Sequence, residues 1–165
     1  MFNEDILKFK FNKAYDLVIS NLPYNLSSKI LEKLILLNKN PKTMILMFQK
    51  EFAYRLLDGN LNSINSLVNC FFEVKHKFNV SKNCFRPIPK IESSVLKFQR
   101  LKKNLIRKNE IENFINFKRY IFSYKRKSLR KVLKKYDLKN SNKLDLRAEN
   151  LEINDLLEIF RQVKF

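Results

Sequence analysis

Residues 16–37 read DLVISNLPYNLSSKILEKLILL. Asp16-Leu17-Val18-Ile19 is an apolar run of strand length, and Lys29 to Leu37 has the pattern of a helix. Between them, Asn21-Leu22-Pro23-Tyr24 stands at the carboxyl end of the strand. Ser27 or Ser28 is placed to cap the helix that follows. A strand feeding a helix through a polar, proline-stiffened turn is half of a βαβ unit, and in open α/β sheets ligands bind outside the carboxyl ends of the strands.

The same alternation continues outward. TMILMFQ, residues 43–49, is a second continuous apolar run, of the kind found in the middle of a parallel sheet. Residues 50–57 return as helix, Asp58-Gly59-Asn60 is a turn, and residues 63–71 are again helical. Residues 72–80 and 93–99 alternate more clearly, as strands near a sheet edge do. Between them lies the proline-stiffened loop CFRPIPK, residues 84–90. Residues 16–22 are expected to form a buried strand, and the sheet to be mostly parallel.

Residues 102–109 read as a linker, and nothing beyond Glu110 reads as strand. Ile111, Phe114, Ile115, Phe117 and Ile121 recur at helical spacing. In KSLRKVLKKY, Leu129, Val132, Leu133 and Tyr136 share one face, while Lys127, Arg130, Lys131 and Lys134 share the opposite one. A last helix begins near Asn154. The expected layout is an α/β domain over 1–103 and a small all-α domain over 104–165.

The chain has 165 residues, 34 of them Lys or Arg and 16 Asp or Glu, for a net charge of +18. An excess of this size implies a polyanionic partner, nucleic acid before membrane. Part of it follows from a composition rich in Lys, Asn, Ile and Phe and poor in Ala and Gly, as an AT-rich genome produces. Cys70 and Cys84 have neither metal spacing nor a disulfide framework, and the lone His76 sits between two lysines in a strand-like stretch. Neither a metal nor histidine chemistry is expected. No apolar run approaches the roughly 18 residues of a membrane helix. Residues 1–5 lack the basic start of a signal peptide.

The NLPY turn has a specific chemical use. The Asn21 side-chain oxygen and the Leu22 carbonyl, extended by the proline behind it, can both accept hydrogen bonds from an exocyclic amine. Tyr24 offers a ring on which a flat base can stack. Two acceptors also favour a more tetrahedral amine nitrogen, whose lone pair is then available to an electrophile such as a sulfonium methyl. Rate would come from positioning and acceptor geometry, with no metal or strong base. A base drawn out of its stack needs a face on each side, and Phe85 is the candidate partner of Tyr24.

The segments NEDILKF, ISNLPYNLSSKIL, LMFQKEFAYRLL, FRPIPKIESSVLKF, YKRKSLRKVL and LRAENL run in order along the chain. Together they resemble the ribosomal RNA adenine dimethyltransferase family, and the last two resemble the erythromycin-resistance methyltransferases less. The resemblance implies a Rossmann-like class I methyltransferase sheet followed by a small helical RNA-binding domain. It implies S-adenosylmethionine as cofactor and dimethylation of two adjacent adenines near the 3′ end of small-subunit rRNA, in the course of small-subunit biogenesis. The implied partner is that rRNA or the immature small subunit. The enzyme would be a monomer in the cytoplasm, or in an organelle if encoded there.

By the same resemblance Asp5 matches the aspartate that contacts the cofactor adenine. Asn21 matches the asparagine shared by cofactor and target amine, with Leu22, Pro23 and Tyr24 completing that motif. Phe85 matches the aromatic beyond the flipped adenine. Arg126, Lys127, Arg130 and Lys131 fall in the part that resembles the RNA-contacting domain, while Arg147-Ala148-Glu149 more resembles an ordering element of the small domain.

The family opens with a glycine-rich loop between a first strand and helix, and glycine is needed there because the backbone approaches the cofactor closely. This chain has one glycine, Gly59, and begins at the family's third motif. The expectation is therefore an N-terminally truncated sheet that exposes apolar surface on LVISNL and TMILMFQ, and a poorly soluble chain. An internal start codon, a split or decaying gene and a real short product are the three explanations. Two other functions stand beside the enzyme: a non-catalytic rRNA-binding assembly factor, and a DNA adenine methyltransferase, which the Phe85 loop and basic tail disfavour.

Overall fold

The computed structural model describes residues 4–163. Met1, Phe2 and Asn3, part of the stretch read as lacking a signal peptide, lie outside the described residues. In chain order the principal elements are β1 (Leu17–Asn21), α1 (Ser27–Ile35), β2 (Thr43–Gln49), α2 (Lys50–Leu57), α3 (Asn65–Asn69), β3 (Phe72–Val80), β4 (Ser93–Arg100), α4 (Ile111–Ser123), α5 (Leu129–Val132) and α6 (Ile153–Gln162). Two compact units result. One comprises Met1–Leu57 and Phe71–Lys103, the other Asp58–Cys70 and Asn104–Phe165.

The first unit is built on one sheet of order β1-β2-β4-β3. β1 and β2 pair in parallel, with Leu17 opposite Thr43 and Asn21 opposite Met47. The α1 crossover makes that parallel pairing possible. β4 runs antiparallel to both β2 and β3. The mostly parallel sheet expected from the alternation is thus replaced by one parallel and two antiparallel pairings. β3 and β4 follow each other with no α-helix between them, only a short 3-10 turn, so a hairpin-like return is the short path.

β2 alternates strictly. Met44, Leu46 and Phe48 are fully buried, while the residues between them are half-buried. Phe48 meets Phe52 of α2 at 5.2 Å between ring centroids, and Phe98 of β4 packs on Phe48 and Phe72. This aromatic cluster is the centre of the unit. Three fully buried rings at about 1.5–3 kcal/mol each make it the main hydrophobic contribution on that side of the sheet.

β1 is not the buried strand its composition promises. It lies at the sheet's edge, and Leu17 and Ile19 are 50% and 69% exposed. β4, read as an edge strand, is interior; its polar Ser93 and Ser94 are buried. β3 holds the opposite edge and carries a register irregularity between His76 and Phe78. A break in register twists an edge away from further pairing.

The helical unit differs from the expected boundary in one segment. Asp58–Cys70, with α3, groups with the C-terminal helices. The Leu61 amide donates to the Glu149 carbonyl at 2.8 Å, and the nearly buried Lys118 ammonium donates to the Ser63 carbonyl at 3.0 Å. Asn65, fully buried, donates to the Asn60 carbonyl and accepts from the Asn62 amide. Residues 102–109 are more than a linker: Ile106 is buried and the Leu105 amide donates to the Cys70 carbonyl. Phe114 and Phe117 of α4 each meet Phe160 of α6, with centroid separations of 5.2 and 5.4 Å.

α5 covers only four residues. Leu129, Val132 and Leu133 are buried as the spacing implies, but Lys127 and Lys134 fall outside the helix and Tyr136 is only half-buried. Within this helix Arg130 is held from the following loop by Asn140, Ser141 and Asp145, as described below.

Candidate active site

β1 delivers Asn21 to its carboxyl end, and Leu22 turns inward to a 4% exposed position. Pro23 is extended, at φ −61° and ψ 125°. Its carbonyl accepts from the Leu26 amide at 3.0 Å and from the Ser27 hydroxyl at 3.1 Å. Ser27 therefore donates back into the NLPY turn; neither Ser27 nor Ser28 supplies a side-chain cap, and the residue before α1 is Leu26. The whole turn is pinned from the helix that follows it.

Tyr24 begins a short 3-10 turn, and its hydroxyl lies 2.7 Å from the Oγ of Ser93, where β4 begins. With the hydroxyl held, the ring loses the freedom to turn away. Ser93 was not singled out among the expected site residues. It belongs to the quoted PKIESS run, and a serine ahead of a strand carries no distinctive signal of its own.

The other wall is the loop before β4. Its 3-10 turn at Lys82–Cys84 is opened by Ser81, whose Oγ accepts from the Asn83 amide. Phe85 follows in extended conformation and is half-buried. Arg86 donates through one guanidinium nitrogen to the carbonyls of Asn83 and Phe85, and the Arg86–Pro87 bond is cis. The return end of the loop is fastened at Glu92. Its carboxylate pairs with the Lys50 ammonium at 2.6 Å, and its carbonyl accepts from the Lys50 amide at 3.0 Å. The Lys50 ammonium beside it holds the Glu92 carboxyl below its ordinary pKa, and Glu92 in turn raises Lys50.

Between these walls is an open cavity of about 420 Å³, lined by residues 21–24 on one side and residues 85–87 with Pro89 on the other. All five residues expected at the catalytic position, Asn21, Leu22, Pro23, Tyr24 and Phe85, line it. Arg86 adds a cation that sequence reasoning overlooked. A cavity with an aromatic residue on each side, a carboxamide and a carbonyl-bearing turn suits a flat heterocycle with an exocyclic amine.

Asp5 is exposed and is not part of that lining. Its Oδ1 accepts from the Leu7 amide at 2.9 Å, and its carbonyl accepts from the Lys8 and Phe9 amides. Lys33 of α1 pins the same segment by donating to the Leu7 and Phe9 carbonyls, each at 2.7 Å. The carboxylate is thus presented on an anchored turn. Among the described residues no group of His, Cys, Asp and Glu could hold a metal ion.

In the helical unit Arg126, Lys127 and Lys131 are exposed. Arg130 is different: it grips Asp145 through two nitrogens at 2.6 and 3.0 Å, and also reaches Asn140 and the Ser141 carbonyl. Asp145 is held below its ordinary pKa by that contact and Arg130 is raised by it. Arg130 thus ties down the following loop while its side chain stays 46% exposed.

Residues 1–164 match the family model for ribosomal RNA adenine dimethylases. The chain belongs to that family. Among curated relatives, the ribosomal RNA small subunit methyltransferase A of Mycoplasmopsis pulmonis is 32% identical, over 99% of this chain and 70% of that protein. Its counterpart in Malacoplasma penetrans is 41% identical over 81% of this chain and 51% of that protein. This dimethylase-family chain therefore spans about half to seven-tenths of the length of those relatives. The crystal structure of a dimethyladenosine transferase from Plasmodium falciparum superposes with a TM-score of 0.82 at 26% identity, over 96% of this chain and 70% of that one. The 23S rRNA methyltransferase ErmE shares the fold with a TM-score of 0.72 at 16% identity, over 98% of this chain and 70% of that one. The class I methyltransferase fold expected for the first unit is the fold of both neighbours, and the erythromycin-resistance type is the more distant of the two.

Proposed function

We propose that this chain acts in the dimethylation of the exocyclic amine of adjacent adenines near the 3′ end of small-subunit rRNA, with S-adenosylmethionine as methyl donor, as part of small-subunit biogenesis. The observation that carries this reading is the cavity that gathers Asn21, Leu22, Pro23, Tyr24 and Phe85 from two separate segments. The substrate is an adenine turned out of the RNA stack. Tyr24 covers one face of it and Phe85 the other. The Asn21 carboxamide oxygen and the Leu22 carbonyl accept the two amine hydrogens and draw the nitrogen lone pair out of conjugation with the ring. Ser93 keeps Tyr24 in place, and the Lys50–Glu92 pair keeps the Phe85 loop closed against it.

S-adenosylmethionine, when bound, supplies the methyl group as a sulfonium electrophile. Asp5 and Asn21 are exposed and carry acceptor oxygens, which suits the adenosine end of that cofactor. The amine proton released by each transfer passes to solvent through the open mouth of the cavity. The exposed cations Arg126, Lys127 and Lys131 hold the RNA by its phosphates, and a net charge of +18 favours that association.

One observation favours a second reading, a non-catalytic rRNA-binding assembly factor. The exposed cations Arg126, Lys127 and Lys131 belong to the helical unit, whereas the cavity belongs to the sheet unit, so RNA can be held by residues that take no part in methyl transfer. Calorimetric titration of S-adenosylmethionine into the purified chain separates the two. Micromolar binding that Asn21→Ala abolishes supports the enzyme; a folded, RNA-binding chain with no heat of binding supports the assembly factor.

A further inference from the structure

At the end of α4 an aromatic surface emerges among cations. Tyr124 follows the last residue of the helix and its side chain is 38% exposed. Tyr120 meets it edge-on, with ring centroids 5.3 Å apart and planes at 74°. The Lys127 ammonium stands 5.2 Å from the Tyr124 centroid, and Lys127 donates its amide to the Tyr124 carbonyl at 3.0 Å. Lys135 lies over the rings of Tyr120 and Tyr136 at 5.5 and 4.9 Å. Tyr120 is fixed from below, because its hydroxyl donates to the Val132 carbonyl. Lys125 and Arg126 are exposed beside Tyr124.

Burial accounts for only part of Tyr124, of which more than a third is open to water. Charge neutralisation does not account for Lys125, Arg126 and Lys127, which the ion pairs of the described residues leave out. A partly exposed ring packed edge-on against an anchored tyrosine, with one lysine over it and two exposed cations beside it, is a construction that can hold a single-stranded nucleotide.

We propose that Tyr124 is a stacking platform for an unpaired RNA base, with Lys125, Arg126 and Lys127 taking the flanking phosphates. The proposal rests on the RNA-binding reading of the helical unit and adds that the RNA contacted there is single-stranded. Lys127 is the mobile part. Its ammonium leaves the Tyr124 ring for a phosphate when a base arrives, because base stacking on an aromatic ring outweighs an exposed cation–π contact. Tyr120, held at its hydroxyl, sets the tilt of the platform.

The chain contains no tryptophan, so Tyr124→Trp introduces a single fluorophore at the site. Three probes are titrated into that variant of the 165-residue chain: a short unstructured RNA, the duplex it forms with its complement, and inorganic polyphosphate. Stacking predicts strong quenching by the single strand, and binding of polyphosphate without quenching. Tyr124→Leu should weaken single-strand binding about tenfold and duplex binding far less, while Tyr124→Phe keeps the affinity. Single-strand binding with unchanged emission, or unchanged affinity in Tyr124→Leu, overturns the platform and leaves the RNA-binding reading intact. No binding of any RNA overturns both.

Discussion

The Tyr24 hydroxyl stands 2.7 Å from the Oγ of Ser93, a residue with no exposed surface. This one contact joins the turn after β1 to the first residue of β4, across two strand positions of the sheet. It makes the orientation of a surface ring depend on a buried hydroxyl. Tyr24→Phe leaves the buried Ser93 hydroxyl without that partner and should cost about 1–2 kcal/mol of unfolding free energy. Tyr24→Phe combined with Ser93→Ala should recover part of the loss. Urea unfolding of the two single variants and the double variant measures the coupling, and additive losses would show that the contact does not matter.

The Lys50–Glu92 pair gives the Phe85 loop a pH dependence. Folding holds Glu92 below its ordinary value of 4.5, so its contribution is complete above that pH and fades as the pH falls through the lowered value. Lys50 is raised from 10.5, and its contribution is complete below that pH and fades as the pH rises through the raised value. Thermal melts should therefore drop more steeply below pH 4.5 in the parent chain than in Glu92→Gln. Parallel curves would remove the pair from the account.

The two cysteines should differ sharply in reactivity. Burial pushes the Cys70 thiol up to about 12, and its Sγ donates to the Ser66 carbonyl, whereas Cys84 is exposed in the loop that forms one wall of the cavity. At mild alkaline pH a thiol reagent should label one site quickly, and Cys84→Ser should abolish that labelling. Fast labelling that survives Cys84→Ser would show that the helical unit opens around Cys70.

Among the basic residues, loss of charge should have two different signatures. Lys127→Ala and Lys131→Ala should each reduce the salt slope of RNA binding by about one unit or slightly less without changing stability. Arg130→Ala should instead lower the melting temperature, because it releases Asp145, Asn140 and the Ser141 carbonyl together. A slope change in Arg130→Ala with an unchanged melting temperature would place Arg130 on the RNA.

β1 presents an unpaired edge with Leu17 and Ile19 exposed. Such an edge recruits other chains. Ile19→Lys should raise the monomeric fraction in size-exclusion chromatography with little effect on the melting temperature. A lower melting temperature with no gain in monomer would mean that Ile19 is packed in solution.

The NLPY turn and the Phe85 loop were legible in the sequence as proline-stiffened turns, although NLPY alone fits a plain strand end as readily as a site and only its combination with the Phe85 loop shifts the balance. Their meeting in one cavity follows from β2 lying beside both β1 and β4, a strand order that periodicity does not encode. β1 misled because Leu17-Val18-Ile19 reads the same whether one face or two are covered, and only its place at the edge decides. Arg130 has a structural partner that spacing does not reveal, because a cation's partner is set by the loop that folds back on it, and Asp145 lies fifteen residues on. The reach of α3 into the helical unit depends on single contacts such as Lys118 to the Ser63 carbonyl, which no spacing rule anticipates.

On the proposed reading, Asn21 holds an adenine amine for methyl transfer, and the reaction stops without it. The most direct measurement is mass spectrometry of small-subunit rRNA after incubation with S-adenosylmethionine and either the parent chain or Asn21→Ala. Dimethyladenine is expected with the parent chain and none with Asn21→Ala, whose RNA affinity stays within about twofold because phosphate contacts carry it. Equal methylation by the variant, or none by a folded and RNA-bound parent chain, would contradict that reading.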